Sequence, residues 1–293
     1  MRECLLLLLL LAGCARPPPP LVPQPRYEIG QPYQLGGAWS YPREEFGLME
    51  AGLGVVLAAA APRRTRVGEV FEDGAMVAAH RTLQLPAIVT VTNLENGRSL
   101  DVRVIERGPE RAGRIIGLSR RAGELLGVAP GGVFQARVQV QGEPSQALAR
   151  LLPGDRPVLA IAAAPVGRVE RESLAAPAGA RQAAARPVAV ARAAVAADSP
   201  QDASLPPARL PEALRQSAPQ PGRLMLDAGS MFTLALAQRQ AARFGGRAES
   251  RGPASRQQEY RLRAGPFANV AEADAALDRA RAAGIADARI VVE

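Results

Sequence analysis

Two arms of alternating apolar and polar residues lie near the middle of the first half of the chain. One is Ile88-Val89-Thr90-Val91-Thr92-Asn93 and the other is Ser99-Leu100-Asp101-Val102-Arg103-Val104, with Glu95-Asn96-Gly97-Arg98 between them. Asn-Gly between two period-two arms predicts a β-hairpin. The second arm delivers Glu106 to the turn at Gly108-Pro109, where a carboxylate at a strand end faces a loop rather than a core. A strand is expected at 52–57, which is short, β-branched and glycine-bounded, and further strands at 75–79 and 134–140. Ser119 is placed to cap a short helix over 120–126, which Gly127 closes. Many short strands with hairpin turns and one or two helical turns suit a small closed barrel. Its predicted core is Val55, Leu57, Val77, Ile88, Val89, Val91, Leu100, Val102, Val104, Val138 and Val140.

The pattern then lapses. From Gln135 to Met231 there is no Phe, Trp or Tyr, and Ala, Pro, Arg and Gln dominate the later part. Such composition buries too little apolar surface to offset chain entropy, so 145–222 is expected to be a mostly disordered linker. Order returns with a strand over 224–229 and a helix carrying Leu234, Ala237, Ala241 and Phe244 at helical spacing. A half-buried strand follows at Tyr260-Arg261-Leu262-Arg263-Ala264. Asn269 and Glu272 look like a capping box for a helix with Ala273, Leu277 and Ala280 on one face, and 288–292 is a last strand. Strand-helix-strand-strand-helix-strand is an α+β pattern of the ferredoxin-like kind, expected over 223–293.

The head of the chain reads differently again. Leu5 to Leu11 are consecutive leucines followed by Ala12-Gly13-Cys14. The run is too short to span a bilayer but suits the apolar region of a secretory signal, so 1–13 is read as a signal peptide. Prolines 17–20, 23 and 25 make 14–29 an extended tether. Cys4 would leave with the signal, so the mature chain has no cysteine pair and no cysteine metal site. Formal net charge is +8, with arginine as the basic residue throughout. The arginines are spread over linker and domains with no interleaved aromatics, so nucleic acid is excluded as a partner.

Several motifs carry a resemblance. Gly68-Glu69-Val70-Phe71-Glu72, Ala78-Ala79-His80-Arg81-Thr82-Leu83, Val91 to Arg98 and Arg103-Val104-Ile105-Glu106-Arg107-Gly108-Pro109 resemble the rare lipoprotein A family, and Arg114 to Ser119 continues the match. The resemblance implies a double-psi β-barrel over 30–144 and a lytic transglycosylase, a carbon-oxygen lyase that cleaves the β-1,4 bonds of septal peptidoglycan. It implies Glu106, His80, Glu69 and Glu72 as catalytic residues, with no cofactor and no metal. Glu69 and His80 match the family outright. Glu72 and Glu106 stand where the family has Asp, Gly117 stands where an Asp follows Ile-Ile, and the Trp-Tyr pair usual near 54–58 is missing. Leu-Ala-Gly-Cys is similar to the bacterial lipobox, which implies lipidation of Cys14 and, with Ala15 following, an outer-membrane lipoprotein facing the periplasm. The segments 226–231 and 260–267 resemble the SPOR domain, which implies binding to septal glycan strands stripped of their peptides by cell-wall amidases. Arg261 and Arg263, two apart on one strand and so on one side, are the expected glycan-binding pair.

A lytic transglycosylase needs one carboxyl. It protonates the glycosidic oxygen and then takes the proton of the sugar's C6 hydroxyl, which closes on C1 to leave a 1,6-anhydro end. That role needs an acid held up in pKa by burial or by neighbouring negative charge, which Glu69, Glu72 and Glu106 together would supply, with His80 orienting. The alternative is a non-catalytic glycan-binding lipoprotein in which the barrel is a scaffold.

Overall fold

The computed structural model describes residues 21–154, 206–251 and 258–293. The expected signal peptide with Cys14, and residues 155–205 of the expected linker, lie outside the described residues. A small hairpin, β1 (Tyr33–Leu35) and β2 (Ala38–Ser40), precedes β3 (Met49–Val56). A second hairpin joins β4 (Arg63–Arg64) to β5 (Val70–Phe71). Then come β6 (Val77–His80), β7 (Ala87–Asn93), β8 (Arg98–Glu106), β9 (Arg114–Leu118), α1 (Arg120–Leu125), β10 (Val133–Val140) and α2 (Gly142–Leu151).

Six strands in the order β8-β6-β9-β3-β10-β7, with β7 paired back to β8, close a barrel. The pairs β3–β9 and β6–β8 are parallel and the others antiparallel, so the barrel is of the double-psi kind. Closure leaves no free edge, and alternate residues fill the interior. Val89, Val91, Leu100, Val102, Val104 and Val138 are all fully buried, as the alternation requires. The first strand is shifted by a register. Leu53 and Val56 are buried, whereas Val55 and Leu57 are half-buried. Ile88 faces outward and packs under α2 with Leu148 and Tyr27. The hairpin turn forms at Gly97, which adopts φ +77° and donates its N–H to the Asn93 carbonyl. Ser119 caps α1 by accepting from the Ala122 N–H.

Both ends of the stretch expected over 145–222 as a disordered linker are folded. Ser145 is buried inside α2, where its hydroxyl accepts from the Ile88 N–H and donates to the Ile88 carbonyl. The amphipathic α2 thereby covers an apolar strip that strand alternation alone does not reveal. Residues 206–222 run along the barrel: β11 (Arg215–Gln216) adds to β8, and Arg215 pairs with Asp101. The ordered domain also begins before residue 30, because Tyr27 is fully buried and Glu28 exchanges backbone bonds with Leu85.

The last domain is β12 (Leu224–Met231), α3 (Leu234–Ala242), β13 (Arg247–Arg251), β14 (Glu259–Phe267), α4 (Val270–Ala282) and β15 (Arg289–Val292). Its antiparallel sheet has the order β13-β14-β12-β15, the ferredoxin-like arrangement. Asn269 caps α4 by accepting from the Glu272 N–H, and Glu272 reaches back to the Ala268 N–H. This domain seats on the barrel through α4 and β15. Arg114 of β9, 2% exposed, makes a two-pronged pair with Asp274 of α4 at 2.6 and 2.8 Å. Gly113 lets the helix approach, since a Cβ there would meet Leu277 at 2.7 Å.

Candidate active site

Glu106 ends β8, and local pairing decides what surrounds it. Val77 of β6 stands opposite Arg103 and Ala78 opposite Val104, but a register shift then sets Glu106, instead of Ile105, opposite Ala79. Bulges of this kind re-aim side chains at barrel rims. Ala79 is in turn opposite Gly117 of β9, so small residues floor the carboxylate. A Cβ at 117 would come within 2.8 Å of the Leu57 side chain, which therefore closes over that position.

The charge partner of Glu106 is Arg63, at 3.3 Å. Arg63 is the cross-strand neighbour of Phe71 in the β4–β5 hairpin, and its guanidinium lies 4.6 Å from the centre of that buried ring. Stacking on the ring holds the cation while leaving it partly solvated. The Glu106 side chain is 22% exposed. Burial pushes its carboxyl above the usual carboxylate range, and the charge and hydrogen bond of Arg63 and the Arg107 N–H only partly oppose that. A single, partly exposed cation and a raised carboxyl suit a group that must both give and take a proton.

The other expected residues are engaged elsewhere. Glu69 receives three hydrogen bonds from Arg103, at 2.6, 2.9 and 3.0 Å, with side chains 8% and 2% exposed. Glu72 lies at the surface and pairs with Arg209, from the segment that follows the linker. His80, 2% exposed, projects to the face of β6 opposite Ala79 by strand alternation. Its Nδ1 accepts from the N–H groups of Thr82 and Leu83, which leaves Nε2–H to donate to Glu50 at 2.9 Å. Among the described residues, no hydrogen bond or ion pair joins Glu69, Glu72, His80 and Glu106 to one another. No group of three His, Cys, Asp or Glu gathers as metal ligands among them either.

In the last domain Arg261 and Arg263 lie on one side of β14, as their spacing requires, but carboxylates engage both. Arg261 pairs with Asp227, a buried carboxylate that burial alone would raise. The Arg261 hydrogen bond, the charges of Arg261 and Arg289 and the Gly229 N–H hold it below its usual range. Arg263 is nearly buried between Glu249 and Glu293.

Arg63 and Glu50 are the site residues that sequence reasoning did not single out. The hairpin signal at Val67-Gly68, a turn with φ +77° at the glycine, marks the ladder that carries Arg63. Glu50 stands thirty positions from His80, and no local pattern links them.

Residues 56–140 match the family model described as lytic transglycolase, and residues 220–290 match the SPOR domain model. The barrel is of the rare lipoprotein A type, and a SPOR domain follows it. Similar proteins include the endolytic peptidoglycan transglycosylase RlpA of Pseudomonas aeruginosa, 37% identical over 162 residues, covering 48% of this chain and 43% of the relative. The protein of the same name from Yersinia pestis is 37% identical over 113 residues, covering 36% and 31%. That of Vibrio cholerae is 46% identical over 76 residues, covering 26% and 29%. The chain thus spans less than half the length of these relatives. The rare lipoprotein A barrel and the SPOR domain account for the six closed strands and the four-stranded sheet respectively.

Proposed function

We propose that the chain is an endolytic lytic transglycosylase acting on peptide-stripped glycan strands of septal peptidoglycan. Glu106 is its acid and base: it protonates the glycosidic oxygen, then accepts the C6 hydroxyl proton as that oxygen closes on C1. The observation that carries the reading is the half-buried Glu106 carboxyl, raised by burial and faced by a partly solvated Arg63. Arg63 steadies the carboxylate formed after the first proton transfer without neutralising it permanently. The Glu69–Arg103 pair and the His80–Glu50 pair hold the strands that aim Glu106, so their contribution is positional. Lipidation at Cys14 would tether the enzyme to the outer membrane on its periplasmic side, with the Pro-rich stretch as spacer. The SPOR domain would enrich it at the septum, where amidases supply stripped strands.

A second reading, a non-catalytic glycan-binding scaffold, is favoured by one observation: the Leu57 side chain occupies the space over Gly117, beside the acid. The readings separate when the purified chain is incubated with peptide-stripped glycan and the products are examined by mass spectrometry. The lyase yields 1,6-anhydro ends, and Glu106→Gln lowers their yield by about 10²- to 10⁴-fold. A native chain that yields none is the scaffold. Product that survives Glu106→Gln removes Glu106 from the role but leaves the reaction.

A further inference from the structure

Two aromatics that the chemistry above does not use stand at the end of the β1–β2 hairpin: Trp39 within β2 and Tyr41 just beyond it, on either side of the buried Ser40. They are 58% and 60% exposed. The nonpolar faces of pyranose rings stack on exposed aromatic side chains.

The hairpin is rigid. From the barrel, Arg81 donates to the Leu35 carbonyl, the Ser40 hydroxyl and the Glu110 carbonyl, and the Tyr33 hydroxyl donates to the Arg81 carbonyl. From the SPOR domain, Arg281 donates to the Gly36 carbonyl at 3.2 Å. Both aromatics line a cleft of about 790 Å³ whose other walls include Glu50 and Arg289. Arg289 is 63% exposed and only loosely paired, 3.4 Å from Asp227. Removal of a stem peptide leaves a free lactyl carboxylate on each muramic acid, so stripped strands carry regularly spaced negative charge that exposed guanidinium groups recognise.

We propose that Trp39 and Tyr41 form a saccharide subsite that seats a peptide-stripped glycan strand in the cleft between the barrel and the SPOR domain. The inference rests on the glycan substrate assigned under the proposed function. It adds a stacking platform outside the Glu106 rim, in a chain that has no Trp-Tyr pair at 54–58. One strand is then held by both domains, with sugar faces on the aromatics and lactyl carboxylates towards Arg289.

Trp39 is the one tryptophan of the chain, so its fluorescence reports this subsite and no other. Titrating the full chain with peptide-stripped glycan strands should change its emission saturably. Tyr41→Ala should weaken the midpoint by about tenfold, the scale of one lost aromatic contact. Arg289→Ala should weaken it by about threefold, and less at high salt. Emission that stays unchanged at concentrations where the chain sediments with the strands would overturn the subsite, and so would a Tyr41→Ala midpoint equal to the native one. Anhydro-end formation, followed in parallel, separates the two ideas. Product with a silent Trp39 sinks the subsite alone, and a titrating Trp39 without product sinks the lyase and leaves the subsite standing.

Discussion

Two glutamate–arginine pairs join β8 to the β4–β5 hairpin, Arg103 with Glu69 and Glu106 with Arg63. Arg103 lies opposite Val77 and Glu106 opposite Ala79, two residues further along β6. The first pair is shut in: Arg103 grips both oxygens of Glu69, and neither side chain is more than 8% exposed. The second pair meets at 3.3 Å, with Arg63 45% and Glu106 22% exposed. The same two chemical groups therefore do different work. A dry, fully bonded pair is locked, because removing either charge strands the other in a medium that cannot solvate it. A rim pair with one contact and access to water can exchange a proton at little structural cost. Burial and bond count, more than residue type, separate a locked carboxylate from one that keeps access to solvent.

Substitution of each member tests that contrast, beginning with the most severe. Glu69→Gln leaves the buried Arg103 charge uncompensated, so unfolding free energy in urea should fall by about 3–5 kcal/mol. Glu106→Gln should cost no more than about 1 kcal/mol by the same measurement. Equal losses at the two positions would erase the distinction. The Glu106 effect on stability also has a sign in pH. Folding raises that carboxyl, so the native state holds the proton more tightly than the unfolded chain. Its contribution is present below the unfolded carboxylate range and declines as pH rises through the folded value. The decline should vanish in Glu106→Gln.

Arg63→Ala is a milder break. Arg63 draws the Glu106 carboxyl down, so without it the acid stays protonated to higher pH. The alkaline limb of anhydro-end formation should move upward, while stability changes by about 0.2–1 kcal/mol. A limb that moves to lower pH would contradict the pairing. The smallest effect is expected at Glu72, which meets Arg209 at the surface. Glu72→Ala should alter both stability and product yield by little, within about 0.5 kcal/mol for stability. A loss on the scale of Glu106→Gln would return Glu72 to the chemistry.

Much of the fold was legible because it depends on local rules. The Asn96-Gly97 hairpin, the Ser119 cap and the Asn269 cap each follow from residues within a few positions of one another. The register of β3 was not legible, since Gly52, Leu53, Gly54 and Val55 offer no polar alternation to mark a face. The helix α2 was also missed. Its apolar strip covers Ile88, more than fifty residues earlier, and composition alone made that stretch look like linker. The four expected site residues were named from the resemblance of their motifs to a family, but a motif does not say which way a side chain points.

The sequence by itself placed most strands, both helix caps and Glu106 as the carboxylate at a strand end, because periodicity and capping act over a few residues. The barrel type and the SPOR domain came from the resemblance of its motifs. The tertiary structure alone decided the partners. A register shift between β6 and β8 turned Glu106 towards Ala79 and Arg63, while alternation sent His80 to Glu50 on the other face. Glu69 closed on Arg103 because both became buried and each was the counter-charge within reach. Charge partners are set by through-space distance and solvent access, and both exist only after distant strands have paired.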